Sequence, residues 1–225
     1  MTLAEKAEIS KIIIQHAVEK YPRIFAACSF GKDSRVVADL AMQVKPDIMF
    51  FGIDTGYEFP ETLQFAGELV RETGMNFGWL RPSEEARRKI DAYYGDSLVK
   101  NDQYKCCEMK IPAIESVLGE YDAWVTGLRR DETEHRRDTK LIEQGKIVKV
   151  NPIAFWNKDE IWEYIRERNL RYHPLYDQGY LSLGCKPCTT NGAVRSGGGR
   201  QGQFERAGRF AGTDHQGQEC GLHTI

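Results

Sequence analysis

The stretch RIFAACSFGKDSRVVADLAMQV (residues 23–44) decides the fold. Its apolar beginning is typical of a strand, its middle is a glycine-containing polar turn, and its end is typical of a helix. A strand that passes through a short turn into a helix is the building unit of α/β proteins. The rest of the chain must therefore supply further strands for the same sheet.

Apolar runs that predict further strands alternate with predicted helices along the chain. The strand candidates are DIMFFGIDT (47–55), MNFGWLRP (75–82), DAWVTGLRR (122–130) and VKVNPIAFW (148–156). Helices are expected over residues 3–19, 60–74 and 157–170, with Pro60 and Gly74 as start and stop signals and Asn157 with Glu160 as a capping box. This alternation predicts an α/β fold, a Rossmann-like and mostly parallel sheet with helices on both faces.

The composition changes near Ser182, and the last residues are rich in Gly, polar and basic residues without a periodic apolar face. We therefore expect residues 1–190 to form one α/β domain and residues 191–225 to form a mobile C-terminal tail or lid.

Bulk composition excludes several classes of protein. The 225 residues are 41% hydrophobic and 28% charged, with a formal net charge of −2, which does not favour a nucleic-acid binder. No apolar run is long enough to span a bilayer, and the acidic, amphipathic beginning lacks the layout of a signal peptide. We expect a cytoplasmic protein with no membrane contact, in which structural disulfides are rare. The sequence leaves open whether the chain forms a homo-oligomer.

The turn SFGKDS lies where the first strand meets the first crossover helix. In α/β folds this junction is at the carboxyl edge of the sheet, where helix N–H groups and the helix dipole bind anions. Asp54 and Thr55 end the neighbouring strand candidate, at the same edge. An ordinary capped turn is the alternative for both segments. The phosphate-site candidates are Ser29, Phe30, Gly31, Lys32, Asp33 and Ser34.

Six cysteines include two close pairs, Cys106 with Cys107 and Cys185 with Cys188. Four thiolates suffice for tetrahedral zinc or for an iron–sulfur cluster, and neighbouring cysteines fit the separate iron corners of a [4Fe–4S] cluster better than one small ion. A coincidence of small buried residues is the alternative for the adjacent pair. Cys28 lies inside the first strand and is expected in the core.

Several motifs together resemble one family. SFGKDS resembles the PP-loop of the adenine-nucleotide α-hydrolase superfamily, and IDTGYEFPET (53–62) resembles the second-strand motif of its sulfonucleotide reductases. Residues 123–136, residues 151–189, the paired cysteines and the ending ECGLH resemble the cluster-containing adenosine 5′-phosphosulfate (APS) reductases. The resemblance covers most of residues 26–223.

That resemblance implies a set of roles. Asp54 and Thr55, at the end of the second strand, would meet the nucleoside. The four paired cysteines would hold a [4Fe–4S] cluster, with Lys105 or Lys110 coupling it to the substrate. The arginine-rich loop after residue 126 would contact the nucleotide through Gly127, Arg130 and Arg137, and Arg206 and Arg209 would meet the phosphosulfate. Cys220, with His223 nearby, would attack the sulfur of APS as a thiolate, and thioredoxin or a similar dithiol protein, acting in trans, would release sulfite.

The same residues also fit other functions. The same chemistry on 3′-phosphoadenosine 5′-phosphosulfate (PAPS) needs one more cation, which Lys32 can supply. The intact PP-loop also fits an ATP-dependent adenylating or thiolating enzyme. A cluster-based redox sensor leaves the arginine-rich segments unexplained.

Overall fold

A computed structural model describes residues 1–191, 205–206 and 208–210 of the chain. Cys220, His223 and most of the expected tail lie outside the described residues. Within the described part no helix combines the length and the hydropathy needed to cross a membrane.

A six-stranded sheet, in the order β3-β2-β1-β6-β8-β7, forms the centre of the molecule. Neighbouring strands are parallel except for β7, which pairs antiparallel with β8 at the edge. A separate two-stranded antiparallel hairpin joins β4 to β5. The strands are β1 (Ile24–Ala27), β2 (Met49–Ile53), β3 (Phe77–Leu80), β4 (Val99–Lys100), β5 (Gln103–Tyr104), β6 (Ala123–Val125), β7 (Ile142–Glu143) and β8 (Val148–Val150).

Helices cover both faces of this sheet. They are α1 (Leu3–Lys20), α2 (Lys32–Val44), α3 (Pro60–Thr73), α4 (Glu84–Tyr94), α5 (Lys105–Glu108), α6 (Lys110–Leu118) and α7 (Lys158–Glu167). The larger core joins α1, α2, α3 and α7 to one face, while α6 packs on the other face against Phe25 and Trp124. The predicted fold class is confirmed.

Local sequence signals fix several of these boundaries. Pro60 opens α3, and Gly74 closes it in a left-handed conformation with φ 67°. Asn157 and Glu160 form a reciprocal capping box at the start of α7, although the helix ends at Glu167, before the predicted limit. Cys28 is 2% exposed in the main core, as expected, and burial raises the pKa of its thiol.

One region departs from the expected pattern. No element is predicted between residues 83 and 121, yet this stretch forms α4, the β4–β5 hairpin, α5 and α6. The short elements carry Cys106 and Cys107 to the sheet edge at which the first predicted loop also lies.

Candidate active site

A cleft of about 150 Å³ opens at the carboxyl edge of the sheet, between the loops that follow β1 and β6. Ser29, Gly31, Asp33 and Ser34 line it from the first loop, and Gly127 lines it from the second. A neighbouring cavity of about 100 Å³ shares Ser29 with the cleft and is walled by side chains of β2 and β3. The site therefore lies where parallel α/β sheets bind ligands.

Local hydrogen bonds hold the first loop. The Ser34 hydroxyl donates to the Gly31 carbonyl at 2.9 Å and lies 3.3 Å from the Ser29 hydroxyl. Phe30 has a φ of 60°, and its 1% exposed ring packs on Phe65 rather than lining the cleft. Phe30 therefore contributes backbone shape to the loop, and its side chain belongs to the core.

The second loop comes close to the first because residue 127 has no side chain. A Cβ on Gly127 would lie 3.2 Å from the backbone nitrogen of Ser34, which is tight for an ordinary contact. A side chain at this position would push the β6 loop away from the N-terminus of α2. The structure thus brings predicted residue Gly127 to the cleft for a steric reason.

The loop after β2 is turned toward the cysteines. The Asp54 carboxylate accepts hydrogen bonds from the Gly56 N–H at 2.9 Å and from Arg81 Nε at 2.8 Å. Burial raises the pKa of Asp54, but the hydrogen bonds from Arg81 and Gly56 outweigh it and leave this pKa below its usual value. Thr55 is fully buried, and its hydroxyl lies 3.5 Å from Cys185 Sγ. Neither residue lines the two cavities, so their predicted nucleotide contacts stay predictions.

The four paired cysteines form one buried centre. Cys106 and Cys107 lie on α5, Cys185 caps a 3₁₀ turn, and Cys188 is the last residue of that turn. All four belong to a cluster closed by Tyr104 and Phe210, and the sulfurs of Cys106, Cys185 and Cys188 all lie within 4.8 Å of one another. Buried thiols in such proximity are a soft donor set that fits a metal centre.

Hydrogen bonds from the surroundings reach this centre. Arg209 Nη2 lies 3.4 Å from Cys188 Sγ, and the Cys185 thiol lies 3.4 Å from a Glu58 oxygen. The Phe210 N–H donates to the Cys188 carbonyl at 2.9 Å, which docks the C-terminal segment on the cysteines. Such outer contacts orient metal ligands and tune their charge.

The arginines predicted to bind the substrate divide into buried and exposed groups. Arg136 and Arg206 line the cleft and both pair with Glu132. Burial raises the pKa of Glu132, but the arginines, Arg136 foremost, outweigh burial and lower it to about 2. Glu132 is therefore ionised and holds both guanidinium groups at the cleft wall.

The exposed arginines point elsewhere. Arg130 Nε donates to the Thr139 carbonyl at 2.7 Å, and Arg137 pairs with Glu134 on the surface. Neither lines the cleft, so their predicted roles also stay predictions.

Other cleft residues were missed or left undecided by sequence reasoning. Tyr176 and Glu132 line the cleft, and Lys110 lines both cavities. Lys105 instead pairs with Asp91. Of the two lysines predicted to couple the cysteines to the substrate, Lys110 is favoured, because it lines the cleft and also the cavity that Cys185 lines. Nothing in the local sequence marks Tyr176, which reaches the cleft from 144 residues beyond Lys32.

Comparisons of the sequence with known proteins agree closely. A family model for the phosphoadenosine phosphosulfate reductase domain matches residues 23–191. An adenosine 5′-phosphosulfate reductase of Staphylococcus haemolyticus is 38% identical over 221 residues, covering 94% of this chain and 85% of the relative. The enzyme of the same name from Streptomyces coelicolor is 37% identical over 216 residues, covering 94% and 86%.

Solved structures show the same fold. A phosphoadenylyl-sulfate (PAPS) reductase from Candida auris, in a phosphate complex, has a TM-score of 0.68 at 24% identity, covering 80% of this chain and 90% of that one. An FMN adenylyltransferase from Candida glabrata, with FAD and pyrophosphate bound, has a TM-score of 0.64 at 18% identity, covering 84% and 66%. At these identities the likeness concerns the fold alone.

Proposed function

The chain belongs to the phosphoadenosine phosphosulfate reductase domain family, and from this premise we propose that it is an adenylyl-sulfate reductase. In the proposed reaction, APS and a dithiol give sulfite, AMP and a disulfide. The observation that carries the proposal is Arg209, which lines the anion-binding cleft and also lies 3.4 Å from a sulfur of the cysteine centre. One side chain thus joins the place for an anionic substrate to the cysteine-rich centre.

The cleft has the charge that APS requires. Its phosphate and sulfate oxygens are anionic, and guanidinium groups bind such oxygens through paired N–H donors. Arg136, Arg206 and Arg209 all line the cleft, with Lys110 on the side of the cysteines. Cations aimed at these oxygens also stabilise the negative charge that develops on AMP as it leaves.

The nucleophile we propose is Cys220, close in sequence to the docked segment around Arg209. Its thiolate attacks the sulfur of APS, a sulfur–sulfur bond forms, and the bond from that sulfur to the AMP oxygen breaks. A thiolate of the partner dithiol then attacks Cys220 Sγ and releases sulfite, and its second thiol resolves the mixed disulfide. The partner is oxidised by two electrons, and Cys220 returns to a thiol. A thioredoxin-type protein is the proposed reductant, and His223 the proposed cation beside the thiolate.

The proposed cofactor is a [4Fe–4S] cluster held by Cys106, Cys107, Cys185 and Cys188. The buried soft donor set and the aromatic walls of the centre support it. When bound, the cluster supplies a fixed local charge that tunes the electrostatics of the neighbouring cleft. The protein's own Arg209 and Lys110 connect that centre to the substrate.

APS rather than PAPS is the substrate that the ion pairs favour. A 3′-phosphate would need an added cation, and Lys32, the sequence candidate for it, is buried and paired with Asp33 and Glu205. The names of the curated relatives point the same way.

Turnover with a reduced dithiol protein tests this proposal. Sulfite release should be efficient with APS, weak with PAPS and absent with ATP, since ATP carries no sulfonyl group. Iron and sulfide content of the same preparation reports the cofactor separately. A clear preference for PAPS would replace the substrate assignment, and pyrophosphate release from ATP without sulfite formation would contradict the reaction class.

A further inference from the structure

Two buried cations lie at the N-terminus of α2, where an anion would be expected. Lys32 is 1% exposed, and Arg129 is fully buried. A helix N-terminus with a lysine and an arginine beside it is an anion-binding arrangement. The described structure nonetheless engages the donors of both residues with carboxylates.

Glu205, from the C-terminal segment, bridges the two cations. Its carboxylate pairs with Lys32 Nζ through one oxygen and with Arg129 Nη2 at 2.5 Å through the other. Only 5% of the Glu205 side chain is exposed. A carboxylate from a residue 173 positions further along the chain thus sits between the cations.

The remaining donors of this pair are also engaged. Lys32 Nζ contacts Asp33 at 2.7 Å, and the Lys32 backbone N–H donates to the Tyr176 hydroxyl at 2.9 Å. Arg129 Nε contacts Asp33 at 2.6 Å, and its Nη1 contacts Asp131 at 2.5 Å. The positive charge at the helix N-terminus is therefore neutralised from within the chain.

We propose that Glu205 is a specificity-determining residue, which fills the anion position between Lys32 and Arg129 and so excludes nucleoside triphosphates. The inference rests on the proposed function and names which nucleotides that cleft accepts. The longer and more highly charged chain of a triphosphate meets a fixed carboxylate where its outer phosphates need cations. A nucleotide that carries only one phosphate, or one phosphate and one sulfonyl group, is held by Arg136, Arg206 and Arg209 and avoids that repulsion.

The intact GKDS segment (residues 31–34) then serves a contact within the chain rather than the binding of ATP. Its lysine does not present a free ammonium to a substrate phosphate, because the C-terminal segment supplies the counter-charge. The same segment carries Arg206, which pairs with Glu132 at the cleft wall. Glu205 therefore fills the anion position between Lys32 and Arg129, while Arg206 contributes a cation to the cleft. Removing the Glu205 charge would release one donor of Lys32 and Nη2 of Arg129 for a polyphosphate oxygen and would remove the carboxylate that repels it.

The test compares equilibrium binding of ATP and AMP to the full-length protein by calorimetry. Wild type should bind ATP about tenfold or more weakly than AMP, and Glu205→Gln should bring the two affinities within about threefold. The double variant Lys32→Met with Glu205→Gln should restore the discrimination. Glu72→Gln, which breaks an exposed pair with Arg171, is the matched control and should keep the wild-type ratio.

Two further measurements make the outcome decisive. If Glu205→Gln does not fold, Lys32→Met alone provides the test and should widen the preference for AMP, because it leaves the carboxylate and removes a cation. Wild type that binds ATP as tightly as AMP, or variants that leave the ratio unchanged, would overturn the inference. Sulfite formation from APS is assayed on the same samples, so failure of the reductase assignment shows separately from failure of this one.

Discussion

At the scale of single residues, two lysines close to the paired cysteines end in different surroundings. Lys105 Nζ pairs with Asp91 at 2.8 Å and donates to the Gly95 carbonyl, away from the cleft. Lys110 lines both cavities. The reason is helical geometry, because five positions along α5 and α6 turn the second lysine to a different side. Sequence spacing alone left both lysines as candidates.

A buried histidine gives a prediction about pH. His173 is 1% exposed, and burial lowers its pKa to about 4 from the ordinary 6.5. Its Nδ1 accepts the Leu175 N–H, and its Nε2 lies 2.9 Å from the Thr62 hydroxyl. Because the pKa of His173 is lower in the folded state, the contribution of the neutral imidazole to the stability of the fold is complete above pH 6.5. It falls as the pH drops towards 4.

We expect the contribution of His173 to the free energy of unfolding to fall by about 2 kcal/mol between pH 7.5 and pH 5. His173→Asn keeps an acceptor for Leu175 and has no titrating group, so its stability should change less over the same range. Urea unfolding of both proteins at the two pH values measures the difference. Parallel losses of stability in wild type and variant would contradict this account of His173.

At the scale of elements, the turn that carries the second cysteine pair is built around Arg209. The Arg209 Nη1 donates to the Leu183 carbonyl at 2.9 Å, and Nη2 reaches Cys188 Sγ. Gly184 leaves the space for this guanidinium, since a Cβ there would lie 2.3 Å from Arg209 Cζ. The glycine before the CKPC motif therefore lets the C-terminal segment dock on the cysteine centre.

Gly184→Ala should displace the Arg209 guanidinium and leave the sheet and its core intact. We expect kcat/KM for APS to fall about tenfold, the effect of losing a charge-assisted hydrogen bond, while the thermal midpoint changes little. Gly119→Ala, at the end of α6 with no atom within 4 Å of the added Cβ, is the matched control and should retain full activity. Equal activity of the two variants would contradict the contact between Arg209 and the substrate.

The elements also show what the sequence could predict. The alternation of strands and helices is predictable over residues 23–80 and for β6, β8 and α7, because these strands are mostly apolar and α3 and α7 carry clear start signals. The two-residue edge strand β7 is not predicted. Residues 84–118 are not predictable in the same way: β4, β5 and α5 are too short for a periodic signal, and α4 buries only Tyr94, so it shows no apolar stripe. The cleft loop and the paired cysteines were identified from motifs. Glu205 was not, because its contact with Lys32 spans 173 positions and no local pattern records it.

At the scale of the whole molecule, two sites lie side by side at one edge of the sheet. The cleft takes its walls from the loops after β1 and β6, and the cysteine centre takes its ligand candidates from α5 and the turn at residues 185–188. The C-terminal segment around Arg206 and Arg209 contacts both. This arrangement supports the central claim, that a cysteine following this segment reacts with a sulfonucleotide held in the cleft.

Intact-protein and peptide mass spectrometry after addition of APS without a reductant tests that claim most directly. We expect one sulfonate group on Cys220, its removal by a reduced dithiol protein with release of sulfite, and no adduct in Cys220→Ser. Iron content should be the same in wild type and variant, because Cys220 is not among the proposed cluster ligands. A sulfonate on any other cysteine, or sulfite release by Cys220→Ser at the wild-type rate, would contradict the account.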